Sequence, residues 1–293
     1  MILALLMASL LALDAGSARG VSSGEPARPL GQRITAAAGD QPTWVVYRVP
    51  MVPARAADVS RSATVCCSDS VGGHCRLEGP DGITMTDGGR GIDGARGAGR
   101  TIPVEPSSEL LVFAHVAGGT VDRLRIFTAD CAVDAGGARL VSLSDVRPDD
   151  SSAWLATLAA TPFDGVRQRH LVQPALAALA LHSGDAASAA LVSLAHDNRS
   201  ARLRGQALFW LAQRAGNRAA AAITDAIAND PDTGVRKRAV FALSQLPKDE
   251  GVPLLIRVAR TSRNPAVRRQ AMFWLGESRD PRAVSFFEEI LKR

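Results

Sequence analysis

The second half of the chain alternates apolar and polar residues with the period of α-helices, and the pattern recurs at a constant interval. Three nine-residue segments align without a gap: LRGQALFWL at 203–211, VRKRAVFAL at 235–243 and VRRQAMFWL at 267–275. Each segment has apolar residues at its first, fifth and ninth positions, a spacing that places them on one face of a helix. The pattern predicts three equivalent helices that bury the same face.

A second helix follows in each unit and keeps the same register, since Ile223 corresponds to Leu255 and Phe287. A weaker copy lies one interval earlier and begins at Leu171. Proline is tolerated at the start of a helix but not in its interior, and it separates the predicted helices at Asp230-Pro231, Asn264-Pro265 and Asp280-Pro281. The chain from 171 to 293 is therefore predicted to form about four helix pairs, at 171–202, 203–234, 235–266 and 267–293.

The pattern shared by the three strong copies, apolar-Arg-x-x-Ala-x-Phe-x-Leu, resembles the HEAT repeat, particularly its short bacterial form. The resemblance covers about 120 of the 293 residues and implies an α-solenoid of antiparallel helix pairs. The first copy departs from the pattern, because it lacks the Arg and contains Pro174, which is expected to shorten or kink its first helix. The whole chain also resembles a group of exported bacterial HEAT-repeat proteins of unassigned function, through WVVYRVP, Cys66-Cys67, ALFWL and FALSQLPKDEG.

A helix pair of this kind cannot bury its apolar face alone, so neighbouring pairs are expected to stack into a continuous core. Two sets of repeat positions are predicted to be structural: the alanines that let helices approach closely, and the leucines that fill the seam. They are Ala207, Ala239 and Ala271, and Leu211, Leu243 and Leu275. The segment 151–170, with Trp154, Leu155 and Leu158 on one face, predicts a helix that caps the first repeat.

The first half has the pattern of a small β-rich domain, predicted to span 43–146. Segments 43–52, 109–116, 120–128 and 138–143 are rich in β-branched and aromatic residues, which is typical of strands. Gly118-Gly119 lies between two of them and predicts a hairpin. The segment 79–99 contains eight glycines and predicts a loop. The expected fold class is thus α+β multidomain: a small β-rich domain followed by an all-α HEAT-like solenoid.

The N-terminus has the pattern of a secretory signal. An apolar run at 2–13 is followed by small residues, with cleavage expected after Ala18. No Lys or Arg precedes the run, and a buried N-terminal helix is the alternative. We expect residues 1–18 to be a signal peptide, 19–42 to be a linker, and the protein to be periplasmic or secreted. After removal of the signal no membrane span is expected.

The four cysteines, Cys66, Cys67, Cys75 and Cys131, all lie in the first half. In an oxidising compartment we expect Cys75 to pair with Cys66 or Cys67, and Cys131 to pair with the other. The alternative is a metal site formed by Cys66, Cys67, His74 and Cys75, but its spacing matches no common structural zinc site. No metal is therefore predicted.

The charge is concentrated in the repeats. Residues 201–293 contain 17 Lys and Arg against 9 Asp and Glu, a net charge of +8, whereas the whole chain has +5. A basic surface attracts acidic partners. The candidate binding residues are the basic residues that vary between copies, together with two tryptophans at one repeat position: Arg202, Lys237, Arg238, Arg263, Arg269, Trp210 and Trp274.

Three arginines, Arg204, Arg236 and Arg268, occupy the same position in successive repeats. They could grip an acidic partner, but the family resemblance implies a structural role on the loops between repeats, which we favour. Whether Trp210 and Trp274 are core residues or binding residues is left open by the sequence.

Some proteins of HEAT-like architecture are enzymes. Its metal-dependent hydroxylases use His-Glu pairs for iron, and this chain has no His-Glu dipeptide. Nothing identifies the tetrapyrrole site of a bilin lyase or the base-reading residues of a DNA glycosylase. We therefore predict no catalytic residues and no cofactor. The predicted function is an exported, non-enzymatic scaffold that binds a protein, with no nucleic acid expected; the alternative is a lyase-like enzyme, an enzyme subunit or a nucleic-acid-binding protein in the cytoplasm.

Overall fold

The computed structural model of the protein describes residues 28–52, 75–78, 108–131, 133–162, 165–214 and 217–292. Helix α1 (Leu30–Ala38) comes first. Six strands follow: β1 (Thr43–Pro50), β2 (Cys75–Arg76), β3 (Glu109–Ala117), β4 (Thr120–Thr128), β5 (Val133–Asp134) and β6 (Leu140–Ser142). The described remainder is helical, and the predicted fold class, a β-rich N-terminal part followed by a helical solenoid, is confirmed.

The helices of the second half alternate with short loops. Helix α2 (Pro148–Ala159) and the short α3 (Gly165–Arg167) precede four pairs: α4 (Gln173–Leu181) with α5 (Asp185–His196), α6 (Ala201–Arg214) with α7 (Asn217–Asn229), α8 (Thr233–Ser244) with α9 (Lys248–Thr261), and α10 (Pro265–Glu277) with α11 (Pro281–Leu291). A π-helical segment, Gln168–Val172, joins α3 to α4. It lies directly before Pro174, whose missing N–H breaks the regular α-helical bonding.

The main sheet has the strand order β4-β3-β1-β6. β3 pairs antiparallel with both β1 and β4, and β6 pairs parallel with β1. The β3–β4 turn consists of Gly118 and Gly119, with φ values of 56° and 73°. Both lie in the left-handed region that a two-residue hairpin turn of the primed type needs, and glycine adopts it without strain.

Alternate residues of the strands point to opposite faces of the sheet, and both faces are covered. On one face, Val45, Tyr47 and Val112 belong to the same apolar core as the helices. On the other face, Trp44 and Phe113 cover a small cluster that includes the short strand β2. The sheet is therefore packed against the solenoid as well as joined to it by the chain.

Backbone and side-chain hydrogen bonds reinforce this contact. The N–H of Val52 donates to the carbonyl of Leu181 at 2.8 Å, and the N–H of Ser183 donates to the carbonyl of Pro50 at 2.9 Å. The Tyr47 hydroxyl lies 3.0 Å from the Ser151 hydroxyl of α2. Burial raises the pKa of Tyr47 above its usual range and outweighs the hydrogen bond to Ser151, which lowers it.

Residues 30–38, inside the segment predicted as a linker at 19–42, form helix α1 instead. Leu30, Ile34 and Ala38 are buried and lie at every fourth position, so they form one apolar stripe. The stripe packs against β1, β3 and α2. The linker prediction was wrong for this segment, because the spacing of these three residues gives the helix an apolar face to bury. The predicted signal at 1–18 lies outside the described residues.

The repeat positions form a continuous seam. The first, fifth and ninth residues of the aligned segments are all buried: Leu203, Ala207 and Leu211; Val235, Ala239 and Leu243; Val267, Ala271 and Leu275. The first helices stack in the order α4, α6, α8, α10, and each second helix packs on the first helix of the next pair. The N-caps repeat as well, because Ser200, Asp232 and Asn264 each accept a hydrogen bond from the N–H of residue i+3.

We expect Leu243→Ala to lower the free energy of unfolding by about 2–5 kcal/mol, as truncation of a fully buried leucine does. Urea denaturation followed by circular dichroism measures the change. Leu140→Ala, the same truncation at an exposed strand position, is the control and should change stability little. If the two substitutions lowered the free energy of unfolding equally, Leu243 would not be part of a buried seam.

Candidate protein-binding surface

The repeated arginines bind the loops between helix pairs. Arg204, Arg236 and Arg268 each donate to the backbone carbonyl of the sixth residue before them, at Asn198, Asp230 and Ser262. The structure thus places the three guanidinium groups on carbonyls just after the second helices of the preceding pairs. These carbonyls have no hydrogen-bond donor within a helix, and the arginines supply one. The same bond in each repeat holds successive helix pairs in the same geometry.

Arg204 makes one further interaction, a two-pronged ion pair with Asp230. The Nε and Nη2 atoms of Arg204 lie 2.7 and 2.9 Å from the Asp230 carboxylate oxygens, and both side chains are buried. Burial alone would raise the pKa of Asp230, but the hydrogen bonds from Arg204 and from the N–H of Asp232 outweigh it, so that this pKa is lowered. A charge held in this way is part of the scaffold.

The aromatic row is an array of rings along the first helices, formed by Phe209, Phe241, Phe273 and Trp274. The rings of Phe209 and Phe241 are parallel, with centroids 6.0 Å apart. Trp274 follows, 4.9 Å from Phe241 and 5.0 Å from Phe273. The phenylalanines stand at the seventh position of each aligned segment, so they point away from the buried stripe. Phe273 is 55% exposed.

The two tryptophans differ in environment although they share a repeat position. Trp210 is buried in the core and is not available to a partner. Trp274 is half-buried and lines a cavity of about 320 Å³ between α8, α9 and α10. Its indole N–H is buried and has no acceptor among the described residues.

Three basic side chains, which we call the basic row, lie one helical turn before the aromatic row: Lys237, Arg238 and Arg269. All three are exposed, and within the described part of the chain none of them forms an ion pair. Arg238 lies across the preceding helix at Gly205, where a Cβ atom would come 2.5 Å from the Arg238 Cδ. Arg263 is exposed in the loop before α10, and Arg202 is exposed on the first turn of α6.

A second concave region lies between α5 and α7 and has a volume of about 760 Å³. Its floor consists of small apolar residues such as Val192 and Ala222, and its charges are paired. Arg218 contacts Asp185 at 2.7 Å, and the His196 Nδ1 lies 2.9 Å from Asp197. The hydrogen bond to Asp197 raises the pKa of His196. This groove therefore offers less unpaired charge than the basic row.

The structure describes two of the four cysteines, Cys75 and Cys131. Cys75 is buried beneath Trp44 and Phe113, and Cys131 lies at the edge of the same cluster. The structure shows no disulfide at Cys75, which the sequence predicts to pair with Cys66 or Cys67. Cys66, Cys67 and His74 lie outside the described residues, so the metal alternative remains untested. Among the residues that are described, no group of His, Cys, Asp or Glu could hold a metal ion.

The sequence points to the basic row and to Trp274, but not to the three phenylalanines of the aromatic row. Their signal is their spacing, because a residue six positions after the first seam residue lies about 240° around the helix from it. Arg214 is not predicted from the sequence either; it donates to the carbonyls of Leu179 and Ala180 in α4 and of Gly184 before α5.

Comparison with protein families supports the repeat assignment. Residues 220–293 match the family model of HEAT repeats, a segment that covers α8 to α11 and most of α7. The C-terminal part of the chain therefore consists of HEAT repeats, a type of repeat that generally mediates protein interactions. No curated protein matches the chain. None of the described helices is long and apolar enough to cross a membrane.

We expect Arg204→Met to lower the free energy of unfolding by about 3 kcal/mol, because it leaves the buried Asp230 carboxylate without its cation. The lowered pKa of Asp230 stabilises the fold above the unfolded pKa of about 4, and this contribution is lost as the pH falls through the folded pKa. Denaturation at pH 7 and pH 3 should therefore show a smaller pH effect in the variant. Arg263→Met, at an exposed loop arginine, is the control. If both variants behave as the unsubstituted protein, the Arg204–Asp230 ion pair does not contribute to stability.

Proposed function

We propose that this protein is an exported, non-enzymatic scaffold that binds an acidic segment of another protein on the aromatic row and the basic row. The observation that carries the proposal is the position of the two rows on one side of consecutive HEAT repeats. Solenoids present extended surfaces of this kind to protein partners.

The two rows have complementary parts in binding. Aromatic and Arg side chains are the residue types that most often dominate binding energy at protein interfaces. The basic row raises the rate of encounter with an acidic segment through long-range attraction. The exposed Phe273 ring and the half-buried Trp274 then offer apolar contact, which slows dissociation.

A partner with carboxylates beside apolar side chains fits this surface best. The carboxylates would lie over Lys237, Arg238 and Arg269, while the apolar side chains would cover the rings. A strongly apolar partner would leave the basic row desolvated and unpaired, which is costly.

Export is proposed from the apolar run at 2–13 and from the cysteines. Cys75 and Cys131 belong to one small cluster on the second face of the sheet, and the proposal pairs them with Cys66 and Cys67. Disulfides of this kind are typical of oxidising compartments. They would constrain the unfolded chain and so stabilise the part that has the smaller core.

Intact-mass measurement of the protein from its native compartment tests export. We expect the mass of a chain that begins near Arg19, and we expect reduction to add four hydrogens, one for each cysteine sulfur. A full-length mass with four free thiols would contradict both export and the disulfides. The search for partners would then move to the cytoplasm.

Two experiments test the surface. Covalent cross-linking in the envelope fraction identifies the partner, and the binding of that purified partner to this protein is then measured. We expect Lys237→Glu with Arg269→Glu to slow association about tenfold at low salt, and the effect to shrink as salt screens the charges. Arg76→Glu with Arg257→Glu makes the same change of charge at exposed positions elsewhere and should alter binding much less. Equal losses in the two double variants would exclude the basic row as the binding site.

A further inference from the structure

One position of the repeat has a large side chain in two copies and a small one beside a cavity in the third. Arg214, Leu246 and Ser278 occupy this position in successive repeats. Ser278 lines the cavity of about 320 Å³ between α8, α9 and α10. The hydrogen bonds of Arg214 show what the equivalent space near α4 holds.

Arg214 places its guanidinium group at the C-terminal end of α4. Its Nη1 atom donates to the carbonyls of Leu179 at 2.8 Å, of Ala180 at 3.1 Å and of His182. Its Nη2 atom donates to the carbonyl of Gly184 at 3.2 Å. The last carbonyls of a helix have no donor within the helix and form the negative end of its dipole, so a cation is favoured there. None of the described carboxylates forms an ion pair with this guanidinium, which is therefore held by backbone carbonyls.

The cavity beside Ser278 is lined by the equivalents of the residues that bind Arg214. Four of its lining residues correspond to the four whose carbonyls accept the Arg214 bonds: Leu243, Ser244, Leu246 and Lys248. Ser278 uses its hydroxyl for a bond to the Leu275 carbonyl of its own helix. The Lys248 carbonyl accepts from Arg282 at 2.9 Å, but none of the described arginines donates to a carbonyl of the other three. We call this space the α8 cavity.

We propose that the α8 cavity binds a guanidinium group, in the place that the Arg214 guanidinium occupies at the end of α4. A guanidinium group is planar and presents its donors in a rigid fork, which suits carbonyls held at the fixed spacing of a helix end. A volume of about 320 Å³ is near the lower limit of small-molecule pockets, so it suits one small solute or one side chain. The guanidinium belongs either to a free arginine-like solute or to an arginine side chain of a polypeptide.

The other walls of the α8 cavity also fit this ligand. Trp274 offers an aromatic ring, on which guanidinium groups stack. Glu277 is exposed and lines the cavity, and no described residue forms an ion pair with it, so its carboxylate can balance the charge of the ligand. The exposed Lys248 has the opposite effect, because its ammonium group repels a cation.

This proposal does not depend on the proposed function. None of the residues of the basic row lines the α8 cavity, and a guanidinium group has the opposite charge to an acidic partner segment. Binding at one of the two places can therefore fail while binding at the other succeeds.

Titration of the isotope-labelled full chain with L-arginine, followed by NMR of the tryptophan indole groups, tests the proposal. We expect the Trp274 resonance, assigned with Trp274→Phe, to shift and to saturate in the millimolar range. L-Citrulline has almost the same shape as arginine but no charge, so it should cause no shift. A shift with a blocked Gly-Arg-Gly peptide would mean that an arginine side chain can enter, and a shift with the free amino acid alone would assign the cavity to a small solute. No saturable shift with either, or an equal shift with citrulline, would overturn the proposal.

Two substitutions at exposed residues of the cavity report the sign of the ligand's charge. Glu277→Gln removes the attracting carboxylate and should weaken arginine binding about threefold, whereas Lys248→Met removes the repelling ammonium group and should strengthen it by a similar factor. Glu288→Gln, at an exposed glutamate of α11, is the control and should leave binding unchanged. Effects of the opposite sign would indicate an anion site and would contradict the proposal.

Ser278→Arg places in the α8 cavity the residue type that Arg214 supplies at α4. The introduced side chain should occupy the site of the ligand, so that L-arginine no longer shifts the Trp274 resonance. Ser285→Arg adds the same charge at an exposed position of α11 and should bind L-arginine as before. If Ser278→Arg, with an unchanged circular dichroism spectrum, still bound L-arginine, the ligand would not lie at the carbonyls of α8.

Discussion

The structure depends on one repeated seam, in which each second helix of a pair must be covered by the first helix of the next pair. The seam consists of an apolar residue, an alanine and a leucine at every fourth position, as in Val235, Ala239 and Leu243. Alanine in the middle lets the helices approach closely, and the leucine fills the space that remains. Since no pair is stable alone, the first pair needs a cover of a different kind.

The sheet covers the first helix pair at the N-terminal end of the repeats. Helix α4 has almost no polar face, because every residue from Pro174 to Leu181 is buried. It lies between the sheet and α2 on one side and α5 and α6 on the other, and a helix covered all round is apolar all round. This explains why the first copy matches the repeat pattern weakly. Its residues that pack on the sheet do not meet another repeat, so they do not need the residue types of the repeat pattern.

The sequence predicts the internal repeats well, because their pattern recurs in the chain itself. Helices α6, α8 and α10 follow from three aligned segments, and the strands around Gly118-Gly119 follow from the hairpin signal. The sequence does not predict how α1 and the sheet share the core of the first pair. Those contacts join elements that occur only once in the chain, as when Tyr47 of β1 contacts Ser151 of α2. A repeated sequence pattern cannot predict such contacts.

The candidate site was only partly predictable for a similar reason. Net charge identified the basic row, but whether Trp210 and Trp274 are core or surface depends on which helix covers each of them. Trp210 lies inside the array, whereas Trp274 lies in the last pair and lines a cavity. The aromatic row likewise becomes visible only when the helices are stacked, because Phe209 and Phe241 belong to successive repeats and meet only there.

Native-state hydrogen exchange followed by mass spectrometry tests most directly whether the sheet and the repeats form one core. We expect amides of β1, β3, α2 and α4 to open with the same free energy and the same dependence on denaturant. If β1 and β3 exchanged as a unit independent of α4, the sheet would be a separate domain, and the account of the N-terminal end would be wrong.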